Sequence, residues 1–189
     1  DLAVVPAPDF DWRPVPATDP LGWVRISGLA WPSQRQMAYL ATTVVSDREQ
    51  PVAVRIGAAQ VARVWLNGAA LLTTPQPLAR AEDQAAAAGW LRPGNNQLVI
   101  AVASEHDEWW VRARLTAPDG SGLTGVREAL EEPSAQDAVN KKPPPVRELG
   151  AEIRRAVDDR VPGASTALAA FLVAHRPEPG DGGKARAAC

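Results

Sequence analysis

Val61-Ala62-Arg63-Val64-Trp65-Leu66-Asn67-Gly68-Ala69-Ala70-Leu71-Leu72, read with Leu91-Arg92-Pro93-Gly94-Asn95-Asn96-Gln97-Leu98-Val99-Ile100-Ala101-Val102, decides how the rest of the chain is understood. Val61, Arg63 and Trp65 alternate with Ala62, Val64 and Leu66, the two-residue period of a strand whose faces meet different surroundings. Asn67-Gly68 tolerates positive φ at both positions and favours the tight turn that matches strand twist, so Ala69 to Leu72 is expected to return as the second arm of a hairpin. Trp65, beside Val64, is assigned to the core. Leu91 to Asn96 is turn chemistry, and Gln97 to Ser104 is a strand apolar on both faces, which places it centrally.

Working outward, Trp23 to Ile26, Met37 to Ser46 and Val52 to Ile56 read as further strands, and Trp109 to Thr116 closes the set. Val111, Ala113 and Leu115 fall on one face of that last strand, Arg112 and Arg114 on the other. Asp11-Trp12-Arg13-Pro14-Val15-Pro16 is an extended edge segment anchored by Trp12, because proline has no N–H for a ladder. The Ala-rich run before Gly89 has high helix propensity in isolation. Short strands joined by turns at roughly ten-residue spacing predict an antiparallel sandwich.

Trp65-Leu66-Asn67-Gly68 and Leu91-Arg92-Pro93-Gly94-Asn95-Asn96-Gln97-Leu98-Val99-Ile100 resemble the galactose-binding-like jelly roll. That module serves as the N-terminal sugar-binding domain of family 2 glycoside hydrolases and as an accessory domain of bacterial multidomain proteins. The resemblance runs from Trp12 to Pro118. It implies that the Ala-rich run is a loop and short strand ending near Leu91 rather than a helix, and that a structural calcium is an option. It also implies that catalysis, where the module occurs in hydrolases, belongs to a separate barrel.

The remainder is different in kind. Pro118 to Gly122 marks a domain edge, Val126 to Glu131 is expected to form a short helix, and Lys141-Lys142-Pro143-Pro144-Pro145 is a stiff linker. Val146, Leu149, Ile153 and Val157 share one helical face, Pro162-Gly163 ends that helix, and Ala164 to His175 forms a second one led by Leu168, Phe171 and Leu172. The expected organisation is therefore a mainly β chain. A jelly-roll sandwich occupies residues 1–118, a linker with a short helix 119–145, a helical hairpin 146–175 and a disordered tail 176–189. A lone hairpin cannot bury both apolar faces, so it packs on the sandwich or begins a helical array.

Composition narrows the classes of function. The formal net charge of −2 argues against nucleic acid or an anionic membrane as the dominant partner, and no apolar run is long enough for a helical span. Cys189 is the single cysteine, which excludes an internal disulfide and a cysteine-rich metal site. The chain begins at Asp1 without a basic-then-apolar leader, so it is expected to be a piece of a longer protein rather than the product of signal cleavage. Absent disulfides suit the cytoplasm and sugar-related modules are often exported; localisation stays open, leaning to export.

Seven Trp against two Phe and one Tyr direct attention to flat rings. Trp109 and Trp110 must point to opposite faces of a strand, one into the core and the other available for stacking on a sugar. Trp90, just before a turn, is a second stacking candidate. Arg112 and Arg114 share a face and are candidates for an anionic sugar or a partner's carboxylate, although polar-out alternation accounts for them equally. Glu105, Asp107 and Glu108, with Asn95 and Asn96, offer oxygens to Ca²⁺. They lack the alternating Asp/Asn loop with its fixed glycine, and read as a solvated acidic loop. His106 has no visible nucleophile or orienting partner, and His175 suits a helix C-terminus. No catalytic residue and no resident cofactor is expected. The leading reading is a non-catalytic accessory domain that contacts other domains or subunits, the alternative a carbohydrate-binding module stacking a Trp on a sugar ring, and a stand-alone enzyme comes third.

Overall fold

The computed structural model describes residues 12–15, 19–27, 36–59, 61–74, 80–104, 109–129 and 137–174. It is an antiparallel β-sandwich of jelly-roll type followed by two short helices. The strands are β1 (Val24–Arg25), β2 (Gln36–Ser46), β3 (Gln50–Ala59), β4 (Val61–Leu66), β5 (Ala69–Thr73), β6 (Ala85–Leu91), β7 (Gly94–Ser104), β8 (Trp110–Thr116) and β9 (Val126–Ala129). One sheet has the order β1-β8-β3-β6 and the other β5-β4-β7-β2-β9.

The Asn67-Gly68 turn forms as expected, with φ of 50° and 78°, and joins β4 to β5. Asn67 does more than turn the chain. It is buried, its Oδ1 accepts from the Gln97 N–H at 2.8 Å, and its Nδ2 donates to Asn96 Oδ1 at 2.8 Å. Asn96 is wholly buried and part of β7, which begins at Gly94 rather than Gln97. Its Oδ1 accepts from the Arg92 N–H (2.8 Å) while its Nδ2 faces the carbonyls of Val44 (3.2 Å), Arg92 (2.9 Å) and Gly94 (3.0 Å). One side chain thus closes the Arg92-Pro93 turn and ties it to β2, letting the ladder run on to Ser46 opposite Gly94.

Register sorts the residues into layers. Val52, Val54, Ile56 and Ala58 of β3 point inward with Val111 of β8 and Leu91 of β6, and meet Ala62, Val64 and Leu66 of β4, Leu98, Ile100 and Val102 of β7 and Val44 of β2. Removing these aliphatic side chains from water is the main favourable contribution to folding. β7 is the middle strand of its sheet, as its two apolar faces require. Pro51 is accommodated within β3 because pairing with β8 begins only at Ala53.

One expectation needs correction. Val126–Ala129 is a strand, not a helix: it pairs with Thr43–Ser46 of β2, Asp47 N–H donates to Gly125 O at 2.8 Å, and Val126 packs against the core. Four residues are too few to nucleate a helix, and an unpaired sheet edge offers them a better partner. Trp65 is a core residue as expected, buried with Val99 and Ala101 under Tyr39 and Ala41 on the face of β4 opposite Val64. The strand read as Trp23 to Ile26 is β1, paired with β8 through Val24 and Arg25, and the Ile26 N–H donates to Trp109 O at 2.8 Å just beyond it. The Ala-rich run is strand β6, as the resemblance implied; pairing with β3 overrides the local helix preference.

Helices α1 (Leu149–Asp158) and α2 (Ala164–Ala174) pack on one another. Gly150 is the reason they approach so closely, since a Cβ there would stand 2.8 Å from the Phe171 ring. The turn between them carries positive φ at Arg160 and at Gly163. Residues 105–108, with Glu105, His106, Asp107 and Glu108, lie outside the described residues, as do His175 and the tail.

Candidate functional site

The outer face of the four-stranded sheet gathers four of the five singled-out residues. Register places Trp110, Arg112, Arg114 and Thr116 of β8 opposite Ala59, Gly57, Arg55 and Ala53 of β3, and Trp90 of β6 opposite Pro51. Trp109, which precedes the strand, is 1% exposed and belongs to the core cluster. The tandem tryptophans therefore divide between faces, with Trp110 the half-buried outer one.

Two clusters build this face, one at each end. At the first, the Arg80 guanidinium lies 4.1 Å from the Trp110 ring centre and 4.6 Å from that of Trp23, and Arg25 stands 5.5 Å from Trp110. Cations over indole faces are attractive by about 0.5–1 kcal/mol when exposed and more when desolvated. Asp19 orients the arrangement: Oδ2 accepts from Arg80 Nη2 at 2.8 Å, while Oδ1 accepts from the N–H groups of Leu21 (2.9 Å) and Trp23 (3.1 Å). Residues 80–84 can cross the sheet here because β3 carries Gly57, where a Cβ would lie 2.2 Å from Ala81 O and 3.0 Å from the Trp23 ring.

That crossing brings acids onto the two arginines. Arg114 makes a bidentate ion pair with Asp83, Nε standing 2.9 Å and 3.0 Å from the two carboxylate oxygens. Arg112 pairs with Glu82 by proximity, without hydrogen-bond geometry. Burial pushes the Asp83 carboxyl upward, but the hydrogen bond from Arg114 and the charges of Arg114, Arg55 and Arg112 outweigh it, so its pKa lies below the usual aspartate value; Arg114 is raised in turn, chiefly by its bond to Asp83. Both arginines thus have partners within the chain.

At the other end, the proline-rich segment is strapped across β6 and β3. Arg92 Nη1 donates to Asp137 O at 3.1 Å, Lys141 pairs with Glu49 and lies 5.1 Å from the Trp90 ring centre, and Trp90 Nε1 donates to Lys142 O at 3.2 Å. Arg55, 5% exposed in mid-sheet, donates to Thr116 Oγ1 at 3.0 Å and to Arg147 O at 2.8 Å, while Arg147 N–H donates to Pro118 O at 2.8 Å. Trp90 and Trp110 are separated by eight residues along β3, or about 27 Å at the rise of an extended strand, so one sugar ring cannot lie on both.

The contributions of Asp19, Arg80, Glu82, Asp83, Lys141 and Lys142 were missed in the sequence. Their partners lie far along the chain, and only the crossing at Gly57 and the path of the strap bring them together. Among the described residues, no group of three or more His, Cys, Asp or Glu is placed to hold a metal ion. Asn95 and Asn96, offered as oxygen donors, are strand residues, and Asn96 is committed to the turn.

No protein-family model and no curated protein matches the chain. Among solved structures it is similar to a family 35 carbohydrate binding module from an environmental isolate, with 16% identity, 57% of this chain and 77% of that chain covered, and a TM-score of 0.35. A likeness of that degree bears on neither ligand nor role.

Proposed function

We propose that the chain is a non-catalytic accessory domain that joins other domains or subunits of a larger bacterial protein through its helical hairpin. One observation carries this reading. Leu149, Leu172 and Val173 on the two helices, and Val161 in the turn between them, are 57%, 50%, 66% and 51% exposed, and the helices pack chiefly on each other. Large apolar side chains left in water on a small helical unit support reading it as a contact surface. The sandwich contributes a rigid base, its outer tryptophans and arginines being tied to other parts of the chain.

The reading is tested by sedimentation across a concentration series and by binding of a hydrophobic dye. The full chain is compared with the double variant Leu172→Glu/Val173→Glu. Self-association or dye binding that disappears in the double variant is expected; a monomer that takes up no dye at any concentration would remove the basis of the reading.

A second reading is carbohydrate stacking at Trp110 or Trp90. It is supported by the projection of both half-buried rings from one sheet face and by the resemblance of Trp65–Gly68 and Leu91–Ile100 to sugar-binding jelly rolls. Tryptophan fluorescence during titration with a glycan panel tests it. A response lost in Trp110→Ala or Trp90→Ala is expected, and a flat response throughout the panel sinks it.

A further inference from the structure

The proline-rich strap is moored unequally at its two ends. At Arg147 the hold reaches into the sheet: Arg55, itself 5% exposed, donates to Arg147 O at 2.8 Å, and the Arg147 N–H donates to Pro118 O at 2.8 Å. Over Trp90 the contacts lie at the surface. Lys141 pairs with Glu49 where both side chains are exposed, and its ammonium lies 5.1 Å from the Trp90 ring centre. Trp90 Nε1 donates to Lys142 O at 3.2 Å, and Arg92 Nη1 donates to Asp137 O at 3.1 Å. Exposed ion pairs and hydrogen bonds compete with water and salt, so this end is the weaker one.

Between the two ends lies Pro143-Pro144-Pro145. Each ring fixes its own φ, and Lys142, Pro143 and Pro144, each followed by a proline, are held extended. The piece from Lys142 to Arg147 therefore moves as a stiff arm and does not crumple. An arm clasped at Arg147 and loosely held at Lys141 and Lys142 travels furthest at the end that lies on the indole.

We infer that the strap is a hinged lid over Trp90, lifting from its Asp137–Lys142 end about the Arg147 clasp and so controlling access to the indole, a role that rests on reading Trp90 as a platform for a sugar ring. An indole offers a sugar two things, a flat face for its C–H groups and one N–H for a hydroxyl. In the closed chain both are taken: the Lys141 ammonium stands over the face and the Lys142 carbonyl accepts from the N–H. The strap thus competes with the guest. Apparent affinity is then scaled by the fraction of molecules in which the lid is raised. Loosening Lys141 raises that fraction without touching the ring, and the helical hairpin, which begins beyond the clasp, stays in place.

The Trp90 indole N–H is bonded to the strap itself, so its hydrogen exchange reports the lid without any ligand. The full chain is labelled with nitrogen-15, and the Trp90 indole signal is identified by its loss in Trp90→Phe. Scaled to free tryptophan and to an unstructured amide, the Trp90 indole is expected to be at least about tenfold less protected than the Arg147 amide. Lys141→Met keeps the stem and removes the charge; salt at about 1 M shortens the screening length to about 3 Å. Each should speed indole exchange about threefold or more and leave Arg147 unchanged, as should Glu49→Gln. A glycan bound through Trp90 should bind Lys141→Met more tightly by the factor by which exchange rises. The lid is overturned if the indole and the Arg147 amide are equally protected and respond together. It is also overturned if neither loss of the pair nor salt alters indole exchange, or if a glycan whose binding is lost in Trp90→Phe binds the full chain and Lys141→Met equally. A flat response across the glycan panel removes the stacking reading alone, and the exchange rates still decide the lid.

Discussion

The sandwich and the helical hairpin follow the same packing rules with opposite outcomes. In the sandwich, the inward residues of β3, β4 and β7 are buried between the sheets, and the outer face of the four-stranded sheet is covered by chain held at named points: Asp19 to Arg80, Asp83 to Arg114, Arg55 to Arg147. In the hairpin, Phe171 packs over Gly150, and large aliphatic groups stay in water. The difference shows which region folds for itself and which is left incomplete. A two-sheet core hides both of its apolar layers at once, whereas two short helices hide one stripe each.

Substitutions should separate the two regions. The largest effect is expected for Trp109→Ala, which empties a core site and costs about 3–5 kcal/mol in chemical denaturation; the hairpin unfolds with the sandwich when measured by circular dichroism. Asn96→Ala strands the Arg92 N–H and the Asn67 amide without their acceptor and costs about 2–3 kcal/mol, visible as a shift in denaturation midpoint. Gly150→Val, by contrast, should part the helices while the sandwich keeps its melting temperature; a matching fall in both would mean the regions are one cooperative unit. Lys141→Ala removes an exposed pair with Glu49, is worth less than about 1 kcal/mol, and is read best as a change in Trp90 emission.

Acid supplies the smallest and sharpest distinction. The pKa of Asp83 is depressed in the folded chain, so its contribution is complete above the unfolded aspartate value, near 3.8, and is lost as pH falls through the lower folded value. The full chain should therefore show a steeper loss of stability below about pH 4 than Asp83→Asn does, with the hairpin variant Gly150→Val leaving that slope unchanged.

What was legible in the sequence follows from the range of the interactions. The Asn67-Gly68 turn, the alternation in β4, β7 and β8 and the division of Trp109 from Trp110 are each governed by neighbours a few residues away. The first helix, expected to include Val146 and to stop at Pro162-Gly163, instead begins at Leu149 and already ends at Asp158, ahead of the positive φ at Arg160. The identity of Val126–Ala129 as a strand is not a local matter, because it depends on an edge of β2 some eighty residues earlier. Trp65 was legible as a core residue, and the alternation with Val64 accounts for its cluster lying on the other face of β4. The candidate site was legible as residue types but not as an arrangement. Arg112 and Arg114 stood out as a pair, while Glu82 and Asp83, which engage them, come from a loop whose path depends on the missing side chain at Gly57.

The hold on Arg147 has a mechanical consequence. Its carbonyl is gripped by Arg55 from the middle of β3 and its N–H by Pro118, and α1 starts only two residues later. The hairpin thus hangs on a very short lead, and any tug transmitted through it arrives at the centre of the four-stranded sheet instead of being absorbed by slack chain. Traction applied at the C-terminal end should accordingly peel the proline strap only after the Arg55 clasp gives way.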